Sequence, residues 1–151
     1  MNTHHDSTMA ADEQPSIFED PYQRELLMHT WQTEKKGTLQ FILIIIGVIL
    51  FSDLLALFKA GQFNTENIIA ILLIPAIFGG LYFYARSQPY VAMLAIIIIF
   101  SLAALAATIE TAGAYLASGL LLKGLLVYAF IKGYRHAREA NQAKKELNLL
   151  L

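Results

Sequence analysis

Between Thr38 and Ile131 the chain carries four long apolar runs separated by short polar breaks. Each is close to the roughly 20 residues that an α-helix needs to cross the hydrocarbon core of a bilayer. This pattern constrains the fold more than any other feature. A backbone in lipid must satisfy its own hydrogen bonds, and for runs of this length the helix is the solution. Composition points the same way: 56% of the 151 residues are hydrophobic and 15% are charged, well away from the usual soluble balance. The expectation is an all-α, polytopic membrane protein, an antiparallel bundle of four transmembrane helices.

The punctuation gives the bounds. Helix 1 is expected over about 38–58, ended by Lys59, Gly61 and Asn64. Helix 2 is expected over about 65–85, with Asn64 or Thr65 as its cap and Glu66 favouring its positive end. Arg86-Ser87-Gln88-Pro89 is too short for anything but an antiparallel connection to helix 3, over about 90–109. Glu110-Thr111-Ala112-Gly113 turns the chain into helix 4, over about 114–131. These four make a transmembrane domain over 37–132. Phe51-Ser52 and Phe100-Ser101 sit at similar places in helices 1 and 3, but the accompanying offsets differ, so no internal repeat is read.

The flanks differ in kind. Residues 1–20 hold Asp6, Asp12, Glu13, Glu19 and Asp20 with few apolar side chains, a composition expected to stay disordered. The tail is also too long and too acidic for a secretory leader, so helix 1 is expected to remain uncleaved. Asp20-Pro21 reads as a cap with Pro at the first helical position, opening a helix over 21–36. Leu27 and Trp31 give it one apolar side. The reading is an interfacial helix with Trp31 anchored near the headgroups; a plainly solvated helix is the alternative. Beyond helix 4, Tyr134, Ala137, Ala140, Ala143, Leu147 and Leu150 recur every three or four residues. They suggest a cytoplasmic helical extension over 133–151 with a weakly apolar stripe.

Basic residues set the expected orientation. Arg24, Lys35, Lys36, Arg86, Lys132, Arg135, Arg138, Lys144 and Lys145 fall on one side of the runs, and Lys59 falls on the other. By the positive-inside rule, the N and C termini are cytoplasmic, in a multi-pass protein of the plasma (inner) membrane. Tyr82, Tyr84, Tyr90, Tyr128 and Tyr134 crowd that same interface.

Candidate sites are few. Lys123 lies among leucines in helix 4, where a charge costs at least about 2.5 kcal/mol and wants a partner. Asp53 is about 9 Å from the outer end of helix 1 and Lys123 about 14 Å from that of helix 4, a gap that a lysine stem spans. The pair reads either as an ion pair fixing helix packing or as a relay in a transport path. Pro75 with Gly79 and Gly80 reads as a kink and packing surface in helix 2. Ala92, Ala95, Ala103, Ala107, Gly113, Ala117 and Gly124 extend the small-residue theme. The chain has no cysteine, no His-Glu-x-x-His, no Gly-x-Ser-x-Gly and no phosphate-binding Gly-rich loop, so no enzyme, metal or cofactor is expected. His29 and His136 lie on the two flanking helices and are read as solvated; they would share a metal only if those helices met.

The residues from Pro89 onward, with Leu-Lys-Gly in the middle of helix 4 and Ile-Lys-Gly at its end, resemble the last part of small uncharacterised four-helix bacterial membrane proteins. The resemblance implies a bacterial inner-membrane location and no activity. The expected role is therefore a non-catalytic structural or accessory subunit, in a homo-oligomer or beside another membrane protein. The expected partners are the bilayer and such a subunit, with no nucleic acid. The alternative is a small transporter or channel using Asp53 and Lys123.

Overall fold

A computed structural model of the chain describes residues 21–61, 65–110 and 119–149. They form four helices and no strands: α1 (Pro21–Ala60), α2 (Thr65–Ala85), α3 (Pro89–Glu110) and α4 (Leu120–Leu149). The acidic tail over 1–20, the turn over 62–64 and the segment over 111–118 lie outside the described residues, as does the start expected for helix 4.

Local chemistry explains the ends that are seen. Gly61 takes φ +63°, the left-handed conformation that costs glycine least, and its N–H donates to the Leu57 carbonyl at 3.0 Å. This satisfies a carbonyl that would otherwise be orphaned at the end of α1. At the other end of the bundle, Ser87 and Gln88 donate their backbone N–H groups to the Tyr84 carbonyl, each at 3.1 Å, closing α2. Pro89 then opens α3, where its missing N–H has no helical acceptor to lose.

One correction concerns the N-terminal flank. The helix expected over 21–36 is not a separate element lying along an interface, because α1 runs unbroken through 40 residues. Gly37 is the weakest residue in the junction, and one glycine costs a helix only about 1 kcal/mol relative to alanine. At 1.5 Å per residue α1 is about 60 Å long, roughly twice the hydrocarbon thickness of a bilayer. At the other flank the expected helical extension continues directly from helix 4: α4 passes through Gly133 without interruption as one 30-residue helix.

α1 and α4 pack antiparallel along most of their described length, with Glu34 beside His136 and Phe41 beside Gly133. The face of α1 turned inward carries Thr38, Ile42, Ile45 and Ile49, and that of α4 carries Leu126, Ala129, Ala137, Ala140 and Ala143, all buried. Large side chains on one helix thus meet mostly small ones on the other, which lets the axes approach closely. α2 and α3 complete the bundle: Phe78, Met93 and Ile96 are fully enclosed with Ile42 and Ile45. Gly133 is where three helices converge. A Cβ added there would lie 2.8 Å from Met93 Cε and 3.1 Å from Phe41 Cβ.

The outer surface between the two ends is as apolar as the interior, with Leu43, Phe51, Ile69, Leu73, Ile98 and Leu102 exposed. Two helical segments, Pro21–Lys59 and Pro89–Ile109, are long and apolar enough to cross a membrane; α2 carries a shorter apolar stretch, Ile71–Ala85. Beyond the apolar zone, residues 21–37 of α1 and 134–149 of α4 form a two-helix stem. It stands at the basic end of the bundle beside the Arg86–Gln88 turn, to which Lys144 Nζ is tied through a 3.1 Å hydrogen bond to the Ser87 carbonyl.

Candidate functional site

Among the described residues, a cluster of polar side chains from two helices lies where the stem meets the bundle. Glu34 of α1 and His136 of α4 meet there, the imidazole Nδ1–H donating to Glu34 Oε2 at 2.5 Å. Both side chains are partly enclosed, Glu34 at 18% exposure and His136 at 34%. Glu139, one turn beyond His136 on α4, brings a third ligand atom; one atom from each of the three residues lies within 4.8 Å of the others. Spacing of i and i+3 puts His136 and Glu139 on one face of their helix.

The ring is held from two sides. Gly37 gives it room, since a Cβ on that residue would sit 3.1 Å from His136 Cγ and Nδ1. Phe41, one turn further along α1, stacks on it with centroids 5.5 Å apart and planes 19° from parallel. Thr38 is fully buried beside these residues, its hydroxyl donating back to the Glu34 carbonyl at 3.0 Å. The helical period brings Glu34, Gly37, Thr38 and Phe41 to one face of α1.

The residues singled out from the sequence are distributed differently. Asp53 and Lys123 are both half-buried, on α1 and α4. Among the described residues, an ion pair crosses between helices at Glu34–His136. Pro75 is buried within a continuous α2. Within the described residues of one chain, a Cβ added at Gly79, Gly80 or Gly124 would meet nothing within 4 Å. Close packing falls instead at Gly37 and Gly133.

Trp31 is half-buried, with the Lys35 ammonium 4.6 Å from its ring centroid. Its indole N–H is enclosed and has no acceptor among the described residues, whereas an interfacial tryptophan keeps that group on the wet side. The reason is the straight α1. Trp31 lies seven residues before Thr38, two turns along the same stripe, and follows the inward face of the stem.

His29 is exposed and His136 is not, so the flanking helices do meet, but through Glu34. Five residues rotate a helix by about 140°, which takes His29 off the face that Glu34 occupies. The signal for this site was present as His136-x-x-Glu139 and Glu34-x-x-Gly37, two weak spacings that only helix pairing brings together. Apart from this cluster, a concavity of about 180 Å³ lies beside the α2–α3 turn, lined among others by Gln88, Tyr90, Asn141, Lys144 and Lys145.

Comparison with protein-family models, with curated proteins and with solved structures finds no match.

Proposed function

We propose that this chain is an integral membrane protein of four spans whose basic end, with both termini, is cytoplasmic. In this reading it works without catalysis as a structural or accessory subunit, in a homo-oligomer or beside a larger membrane partner. One observation carries the reading: two helices that outrun the apolar zone pack on each other beyond it, making a stem joined rigidly to a lipid-exposed bundle. A water-soluble helical protein buries its most apolar helices. Here only 22% and 17% of the apolar windows of Pro21–Lys59 and Pro89–Ile109 are buried, which supports lipid around them. Nine basic residues at the stem end against Lys59 at the other support the orientation.

The transport alternative has less support, because no continuous polar stripe runs through the described helices. Cysteine labelling in intact cells tests the topology. A cysteine in place of Ser87 is expected to react only after the membrane is breached, and labelling from outside overturns the orientation. Native mass measurement in mild detergent tests the role. The expected result is a particle larger than one chain, formed by copies or with a co-purifying membrane protein. A monomer that drives solute or ion flux in liposomes overturns it in favour of transport.

A further inference from the structure

We propose that Glu34, His136 and Glu139 form a three-ligand site for a divalent first-row transition metal, with Zn²⁺ the best fit, and that the bound ion clamps α1 to α4 at the base of the stem.

The donor set suits that class of ion. One imidazole and two carboxylates are ligands that Zn²⁺ takes in open, three-ligand sites whose remaining position holds water. Two carboxylate charges balance a divalent cation, and a neutral imidazole adds the nitrogen donor that Mg²⁺ and Ca²⁺ do not favour. The ligand atoms already lie within 4.8 Å of one another although they come from helices 102 residues apart in sequence. Ligand atoms around a tetrahedral ion with bonds of about 2.0–2.1 Å stand about 3.3 Å from each other. Nδ1 and Glu34 Oε2 must therefore part from 2.5 Å by somewhat less than 1 Å, a change within one carboxylate rotamer. The proton that Nδ1 donates to Glu34 moves to Nε2 of the neutral ring as the metal takes its place.

The surroundings are those of a positioned ligand. Gly37 interrupts an otherwise side-chain-bearing stripe of α1 opposite the imidazole, and Phe41 stacks on the ring face, so the ring's edge is what meets the carboxylate. Fixing the orientation of a ligating histidine is what the shell around a metal site does. Glu139 is exposed, which leaves one side of the site open to ion entry and to water. Lys35, Lys132, Arg135 and Arg138 on the same two helices weaken capture of a bare cation. They make a site of moderate affinity, whose occupancy follows the metal supply, more fitting than a permanently filled one.

The test uses the full chain in detergent, stripped with a chelator that is then removed, with His4 and His5 both replaced by alanine so that the N-terminal pair does not compete. Co²⁺ titrated by visible absorption and Zn²⁺ titrated by competition with a chromophoric chelator report binding. The expected result is one ion per chain and a higher Tm with Zn²⁺ but not with Mg²⁺. Glu34→Gln and Glu139→Gln, which preserve shape, are expected to weaken binding at least tenfold, and His136→Ala by about 100-fold. His29→Ala is expected to change nothing. Failure of the parent to take up Co²⁺ or Zn²⁺ saturably overturns the proposal, as does uptake that survives all three ligand changes. Either failure leaves the subunit reading intact, since that reading is judged by particle mass and flux.

Discussion

The apolar half of the bundle and the stem are built from the same two long helices, yet they follow different rules. In the stem the inward face is Ala137, Ala140 and Ala143 and the outward face is Arg135, Arg138 and Lys145, so the period of the sequence marks the buried side. In the apolar half both faces are hydrophobic. Ile42 and Ile45 are fully buried while Leu43 and Ile44 between them are exposed, and no property of the residue types separates the two pairs. Water outside a helix writes the core into the sequence as an alternation of chemistry. Lipid outside leaves shape as the discriminator, because the hydrocarbon tails are as apolar as the core.

Substitutions sharpen that contrast. The largest effect is expected at Phe78, fully enclosed in the apolar half. Phe78→Ala should cost about 3 kcal/mol, the low end for such a change, because lipid removes part of the transfer term and leaves the cavity. Thermal unfolding in detergent measures it, and an unchanged Tm would mean that the apolar half is packed too loosely for shape to matter.

Next is Gly133, where an added Cβ would push the Met93 thioether aside and press on Phe41 Cβ at 3.1 Å. Gly133→Ala should lower stability by about 1–3 kcal/mol through overpacking. Gly80→Ala, facing open space, should be neutral or slightly stabilising. Equal effects at the two glycines would undo the assignment of close packing to the stem base.

In the stem, Ala140→Leu is expected to cost about 1–3 kcal/mol against less than about 0.5 kcal/mol for the exposed Arg138→Ala. Protease sensitivity of the stem checks this separately from the melting of the bundle. A smaller loss, about 1 kcal/mol, is expected for His136→Ala in the absence of metal, since a partly solvated hydrogen bond contributes modestly.

The smallest quantity is the coupling of Asp53 to Lys123. Asp53→Leu and Lys123→Met are expected to add within about 0.5 kcal/mol in a double-mutant cycle. A larger coupling would show the two charges pairing in the bilayer.

These contrasts explain what the sequence made legible. Four helices follow from run length, and the ends at Gly61 and Pro89 from local backbone chemistry, whereas α4 begins at Leu120 behind Gly119 at φ +63°, later than the start expected at about 114. The faces of the stem follow from its Ala spacing. The inward faces of the apolar half do not: residue type alone offers Gly79, Gly80 and Gly124 as contact surfaces, whereas within the described residues of one chain Gly37 and Gly133 lie tight against neighbouring side chains. The unbroken α1 was missed because Lys35, Lys36 and Gly37 resemble a boundary, although none of them breaks a helix. The Glu34–His136 contact joins residues whose proximity depends on the register of two helices, and register is a tertiary property.

The continuity of α1 makes the molecule a lever as well as a bundle. Sharp bends in helices arise at proline, at Gly/Ser pairs or at bulges, and between Trp31 and Ile49 there is neither a proline nor such a pair. A twist applied to the stem is therefore not absorbed at the membrane surface; it turns Ile42, Ile45 and Asp53 through the same angle. Any partner that grips the stem sets the azimuth of the apolar part of α1, and the proposed ion bridging Glu34 to α4 would hold that azimuth at the base of the stem.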